Sequence, residues 1–454
     1  MWFPSSSHQK ELTTENLEGT DGFSKKNLRF LDDLRGKNFF SVITQFPIPS
    51  LFLLDGLANG IDFAFHFWMG RALTPPDFAV LQTINSVVLV YVTASSVFQP
   101  VVGRFIAEAR GSNNESAISA IFQTFLRASF WLGLVLMLLV LVFSSVLANW
   151  LNLPIWSIQI MAALIFLSTL RPVAAGVLQG TESFIPFGFS RLLTALARLV
   201  LAGILVYYGF NLKGALIAFP FGLFVGVAAA FLFAGKSLWI KNEQSPPGLL
   251  RKGLDLSLLA LIAYIAFMSL TSLDLIWVNR TLSDDLAGAY ASLVLMRRVI
   301  ALLPGVAVVV MFPRIASTLT QGRLPDRLLL NTGGIIIAAS GALTLIYFFF
   351  GHQLILNIFG EAYLSASPLL GWMGVAIMGV SLSSIWLNYY LADRPLNYVL
   401  LLCTAVAIEW ILLTKLSPSL ENAMLAFGVT GWFLTISGLV LYLWKFRPNL
   451  QNSS

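Results

Sequence analysis

Charge is scarce in this chain of 454 residues: Asp, Glu, Lys and Arg make up 11%, against 57% apolar residues. Soluble domains carry more than twice that share of charge. The mean hydropathy is +0.80, which implies lipid rather than water as the main solvent. Cysteine is nearly absent. Cys403 is the one example, so no disulfide forms within one chain and no oxidised framework is expected. No basic stretch leads into an apolar run at the start, MWFPSSSHQKELTTENLEGTDG, so it does not read as a signal peptide. Extended polar loops are also missing between the apolar runs. That excludes a membrane glycosyltransferase or polymerase, which needs a catalytic domain or a sizeable outer loop.

What the chain has is apolar runs. Crossing the hydrocarbon takes about 20 apolar residues. Twelve such runs are found, near 48–70, 78–102, 118–147, 155–178, 186–208, 214–235, 256–278, 286–312, 329–350, 366–391, 396–415 and 423–445. Each must be helical, because an open sheet leaves its backbone unsatisfied in lipid. The expected fold is an all-α polytopic membrane protein.

The 28 Lys and Arg residues set its orientation. With the N-terminus inside, the outer loops hold only Arg71, Lys213, Arg280 and Lys415, while eighteen basic residues fall on the inner side. Six more, all Arg, lie in or beside spans. By the positive-inside rule both termini are cytoplasmic. The same asymmetry accounts for the pI of about 9.4, and no nucleic-acid partner is needed. The expected organisation is a polar tail at 1–38, a six-helix bundle at 39–236, a cytoplasmic linker at 237–253, a second six-helix bundle at 254–447 and a short tail at 448–454. Leu28, Leu31 and Leu34 share a helical face that suits the membrane surface.

The two bundles repeat. A shift of about 208 residues sets RALTPPDFAVL (71–81) on RTLSDDLAGAY (280–290), and GALIAFPFG (214–222) on NAMLAFGVT (422–430). An even number of spans per repeat gives two halves of like orientation, with a cavity between them. Pro100, Pro172, Pro220 and Pro304 lie in or near spans, where each removes a backbone donor.

A charge at the bilayer centre costs roughly 2.5–3.5 kcal/mol on insertion scales, so the charges inside the spans are candidate functional groups. Asp55, Asn59, Asp62 and His66 follow one another by 4, 3 and 4 residues. On a helix they share an arc of about 60°. With Asp274 and Glu409, they are the candidates for binding a coupling proton or Na⁺. The arginines Arg127, Arg171, Arg198, Arg297 and Arg298 are the candidates for an anionic head group, since guanidinium keeps its charge and grips phosphate in a fork. Arg191, near a span start, is read as snorkelling. Structural ion pairs such as Asp62–Arg or Glu409–Arg are the competing reading of the same residues.

GRALTPPDFAVLQ, GVLQGTESFIPFG and LVYYGFNLKGALIA in the first half, with AGAYASLVLMRRVIALLPGVAVVVMFPRIAS and ILNIFGEAYLSASPLL in the second, resemble the polysaccharide biosynthesis branch of the multidrug/oligosaccharidyl-lipid/polysaccharide exporter superfamily. The resemblance covers about residues 45–445 and rests on the order and spacing of these stretches. It implies an O-antigen-type flippase of the bacterial inner membrane, built from two six-helix bundles and not an enzyme. Such a protein moves polyprenyl-diphosphate-linked oligosaccharide by alternating access. Its partners would be the bilayer, that anionic glycolipid, and glycosyltransferases or a polymerase of the same pathway. No cofactor or metal is expected beyond H⁺ or Na⁺ for coupling. A cation-coupled small-molecule or multidrug exporter of the same fold is the alternative. A twelve-span major facilitator is disfavoured, because GRFIAEARGSN lacks the basic signature between spans two and three.

Overall fold

The computed structural model describes residues 47–112, 114–235, 248–320, 326–393 and 395–451. The tail 1–38, with Leu28, Leu31 and Leu34, and residues 237–247 of the expected linker lie outside them. All regular structure among the described residues is helical. The first half contains α1 (Pro47–Ala72), α2 (Pro75–Ser96), α3 (Phe98–Gly111), α4 (Glu115–Val142), α5 (Ser144–Leu151), α6 (Ile155–Gly180), α7 (Phe184–Tyr207) and α8 (Asn211–Ala234). The second contains α9 (Leu249–Leu270), α10 (Leu273–Thr281), α11 (Asp284–Thr320), α12 (Asp326–Ile358), a 3₁₀ segment (Glu361–Leu369) running into α13 (Leu370–Asp393), α14 (Pro395–Lys415) and α15 (Leu420–Gln451).

Nine segments among the described residues are long and apolar enough to cross a membrane, and α9, bent by 47°, makes a tenth. The helices α1 and α11 have 26 and 37 residues. At 1.5 Å per residue both can span the hydrocarbon. The expected count of twelve is reached only when these two are included, and they are the helices that carry Asp55, Asp62, Arg297 and Arg298.

Local signals explain several boundaries. In TPPD, the Thr74 hydroxyl accepts from the Asp77 N–H, and two prolines fill the first positions of α2, where no N–H is needed. Asn114 caps α4 through the Ala117 N–H at 2.9 Å. The break between α2 and α3 at Val97 precedes Pro100, whose ring removes a donor from the next turn. Pro172 and Pro220 stand inside α6 and α8.

The repeat reappears in the boundaries. Helix starts at Pro75 and Asp284, ends at Ala72 and Thr281, ends at Gly111 and Thr320, and starts at Asn211 and Leu420 all lie 209 residues apart. Each half packs mainly on itself: α1 on α7, α7 on α8, and α6 on α3, α4 and α8 in the first; α13 on α11, α12 and α15, and α9 on α14, in the second. Between halves the main seam is α2 against α9, α10 and α11.

One end of that seam is tight. Asn279 Nδ2 donates to Leu151 O at 2.9 Å, Asn152 Nδ2 donates to Asn279 O at 3.2 Å, and Arg71 Nη1 donates to Leu356 O at 3.1 Å. Phe67, Phe78, Phe359 and Tyr363 interlock there. Gly288 lies so close to α2 that a Cβ would stand 2.3 Å from Pro75 O. All of these residues adjoin loops that the charge distribution assigns to the outside.

Candidate functional site

The polar stripe of α1 points away from the helix's exposed apolar side. Leu57, Ala64 and Trp68 are exposed; at 100° per residue they lie roughly opposite Asp55, Asp62 and His66. Yet Asp55 and Asp62 keep 31% and 40% of their side-chain surface accessible, while His66 keeps 4%. Accessibility on an inward-facing stripe means a cleft. It reaches Asp62 from the Asp55 end and stops at His66, which adjoins Phe67 of the interlocked aromatics.

Two ion pairs climb that cleft. Asp55 pairs with Arg191, and Asp62 with Arg198. The acids are seven residues apart on α1 and the arginines seven apart on α7, so the parallel helices form two rungs about 10 Å apart. The Arg198 guanidinium lies over Phe65 and Phe219, each ring centroid at 4.9 Å, and its Nε is buried with no hydrogen-bond partner. Arg171 on α6 is an electrostatic neighbour of the lower rung, so two arginines share Asp55. Asn59 lies half-buried between the rungs.

Above the upper rung, Gln82 Nε2 donates to His66 Nδ1 at 3.0 Å. Arg298 reaches across from α11 to α2, donating to Gln82 Oε1 at 3.5 Å and to Ser86 Oγ at 3.0 Å. Gln82 and Ser86 are fully buried. Arg298 thus bridges the halves, and among the described residues it makes no ion pair. His66 also lies 4.0 Å from Asp62.

The second half holds a sealed cluster. Arg297 forks onto Asp274, with Nη2 to Oδ1 at 2.9 Å and Nη1 to Oδ2. Its Nη2 also donates to Thr271 O at 2.7 Å, and Phe427 covers its face at 4.0 Å. Tyr290 donates to Asp274 Oδ2 at 2.7 Å. Arg297 is 2% exposed, Asp274 and Glu409 0%. Both Glu409 oxygens are buried without a hydrogen-bond partner. Asp274 and Tyr290 occupy the positions of His66 and Gln82 shifted by 208, and Phe427 that of Phe219. The repeat therefore carries two versions of one polar contact.

These positions sort the sequence candidates. Asp55, Asn59, Asp62, His66, Arg171, Arg198 and Arg298 converge between α1, α2, α6, α7 and α11. Asp274, Arg297 and Glu409 group inside the second half, with Arg298 an electrostatic neighbour of Asp274. Arg127 is exposed on α4, whose outward residues include Trp131 and Leu138, and joins neither group. A cavity role for it is not supported; its long stem suits an exposed helix face. Arg191 is not a snorkelling side chain but the partner of Asp55. The seven-residue spacing it shares with Arg198 was the available signal. Gln82, Ser86 and Tyr290 carried none, since uncharged polar residues are common in spans.

No family model matches this sequence, and no curated protein matches it. Solved structures do match in fold. An inward-facing multidrug resistance MATE family transporter of the MOP superfamily has a TM-score of 0.74 at 14% identity, covering 88% of this chain and 96% of that one. An outward-facing MATE family transporter scores 0.56 at 16% identity, with 88% and 94% covered. The lipid II flippase MurJ, in an inward closed conformation, scores 0.65 at 13% identity, with 86% and 87% covered. The chain has the polytopic helical fold of these proteins.

Proposed function

We propose that this chain is an alternating-access transporter that carries a polyprenyl-diphosphate-linked oligosaccharide from the inner to the outer leaflet of a bacterial inner membrane. The observation that carries this reading is Arg298. It is a cation between the two halves, at the closed end of a cleft, and among the described residues its hydrogen bonds go to an amide and a hydroxyl. A diphosphate offers guanidinium a stronger, forked partner than either. Arg171 and Arg191, sharing the single acid Asp55, add positive potential nearer the mouth. Arg198 and Arg297 are already neutralised by Asp62 and Asp274, so they position rather than receive the anion.

The cycle follows from the closed seam. Head group and first sugars enter the cleft from the Asp55 end while the prenyl tail stays in lipid. Engagement of Arg298 loosens its hold on α2, the halves rock, and the seam at Asn152, Asn279 and Phe359 parts. The closed seam at the outer end, together with the accessible acids Asp55 and Asp62, supports an inward-facing state. Pathway glycosyltransferases and a polymerase are the expected partners, and the charge asymmetry of the loops supports cytoplasmic termini.

A second reading has its own support. Asp62 is 40% exposed in the cleft, and an acid there suits a cationic drug in a cation-coupled exporter. Flipping of a fluorescent undecaprenyl-diphosphate sugar in proteoliposomes separates the two. Wild-type flipping that falls at least tenfold in Arg298→Ala supports the flippase. No flipping by folded wild-type protein, with efflux of organic cations that Asp62→Asn abolishes, supports the exporter.

A further inference from the structure

Resting on the reading of this chain as a coupled carrier, we infer that Glu409 is the coupling-proton site, within the second half and apart from the substrate cleft. The argument is a charge count. In the first half each acid has an arginine: Asp55 has Arg191, and Asp62 has Arg198. In the second, Arg298 turns to Gln82 and Ser86 of α2, and Asp274 and Glu409 are left to share Arg297. Arg297 spends both terminal nitrogens on Asp274 and on the Thr271 carbonyl, and Phe427 covers its face. Nothing is left for Glu409. Its two oxygens lie buried in α14 with no donor among the described residues, and the side chain is 0% exposed.

An ionised carboxylate in that place would be a second negative charge beside Asp274, sharing with it an Arg297 that is already paired to Asp274. Apolar surroundings exclude that form unless a cation accompanies it. The smallest such cation, and one that needs no ligand shell, is a proton. The helices packed on α14 are α9, α10, α13 and α15. Of these, α10 presents Asp274; α9, α13 and α15 carry acids and bases only near their ends, with Tyr264, Tyr389, Tyr390 and Tyr442 as their other titratable groups. From α11, Arg297 and Tyr290 complete the electrostatic surroundings. Glu409 is therefore the neutral acid in the inward-open state. It gives up its proton when movement of α10 against α14 admits water to the cluster. One proton is released for each deprotonated carboxylate, and no other bond changes.

The test uses full-length protein in nanodiscs and in proteoliposomes, comparing wild type with Glu409→Gln, which keeps shape and neutrality, and Glu409→Asp, which keeps the acid. Infrared spectroscopy reads the C=O stretch of a protonated carboxylic acid directly. The expected result is a wild-type band that is absent in Glu409→Gln and displaced in Glu409→Asp. In proteoliposomes, an imposed pH gradient should accelerate wild-type flipping, while Glu409→Gln flips at one rate with or without the gradient. A wild-type band unchanged in Glu409→Gln, or no such band, overturns the inference. So does a gradient response that survives in Glu409→Gln, or one driven by Na⁺ at constant pH. If wild-type protein flips no lipid-linked sugar, the flippase reading fails, and the infrared comparison still decides where the proton is held.

Discussion

Asp62–Arg198 in the first half and Asp274–Arg297 in the second join the same residue types at positions the repeat does not equate, and their exposures differ: 40% and 13% in the first, 0% and 2% in the second. The difference lies in what surrounds them. Asp274 also accepts from Tyr290, and Arg297 donates to a backbone carbonyl. The sealed pair is embedded in hydrogen bonds and belongs to the packing of its half. Asp62 opens on a cleft, and the Arg198 Nε has no partner. A pair left open at one side can change partners during a cycle, and a sealed pair cannot do so without opening its half.

Breaking the sealed pair should have the largest effect. Asp274→Ala leaves Arg297 buried and unpaired, a loss of about 3–5 kcal/mol. The expected outcome is little folded protein in the membrane and a large fall in unfolding temperature in detergent. Asp62→Ala leaves Arg198, 13% exposed beside the cleft, without its partner and should cost less than Asp274→Ala. Equal losses in the two variants would erase the contrast. Next comes Arg298→Ala, expected to lower flipping at least tenfold while leaving the unfolding temperature near wild type. A fall in both would make Arg298 a structural bridge.

A smaller effect is expected at the closed end. Gly288→Ala places a methyl group against the Pro75 carbonyl and should loosen the outer seam. In this variant a cysteine at position 66, protected in the parent, becomes reactive from outside; unchanged protection would mean that α2 and α11 simply shift to accommodate the methyl. The smallest effect is expected from Arg127→Ala on the exposed side of α4. Stability should stay within about 0.5 kcal/mol, and flipping should be unchanged.

Much of the architecture was legible because lipid imposes simple rules. Apolar runs marked the spans, and the shift of 208 anticipated boundaries that recur at 209. The α1 stripe was legible because helical spacing puts Asp55, Asn59, Asp62 and His66 on one face. Pairing was not legible. Whether Arg198 meets Asp62, or Arg297 meets Asp274, depends on which helices pack together, and periodicity within one helix carries no such information. Arg191 illustrates the limit: its place near a span end suited snorkelling, whereas the packing of α7 on α1 gives it Asp55. The isolation of Glu409 was equally hidden, since its surroundings come from helices distant in sequence.

The most direct test of an open first half and a sealed second half is cysteine accessibility. Cys403 is exposed, so the background is Cys403→Ser, into which Asn59→Cys and, separately, Ser292→Cys are introduced. Ser292 is fully buried on α11, between Tyr290 and Arg297 in sequence. A membrane-impermeant maleimide is then added to right-side-out and to inverted vesicles. The account predicts that position 59 reacts in inverted vesicles and not in right-side-out ones, and that position 292 reacts in neither. Reaction of position 59 only from outside, or reaction of position 292 as fast as that of position 59, would contradict it.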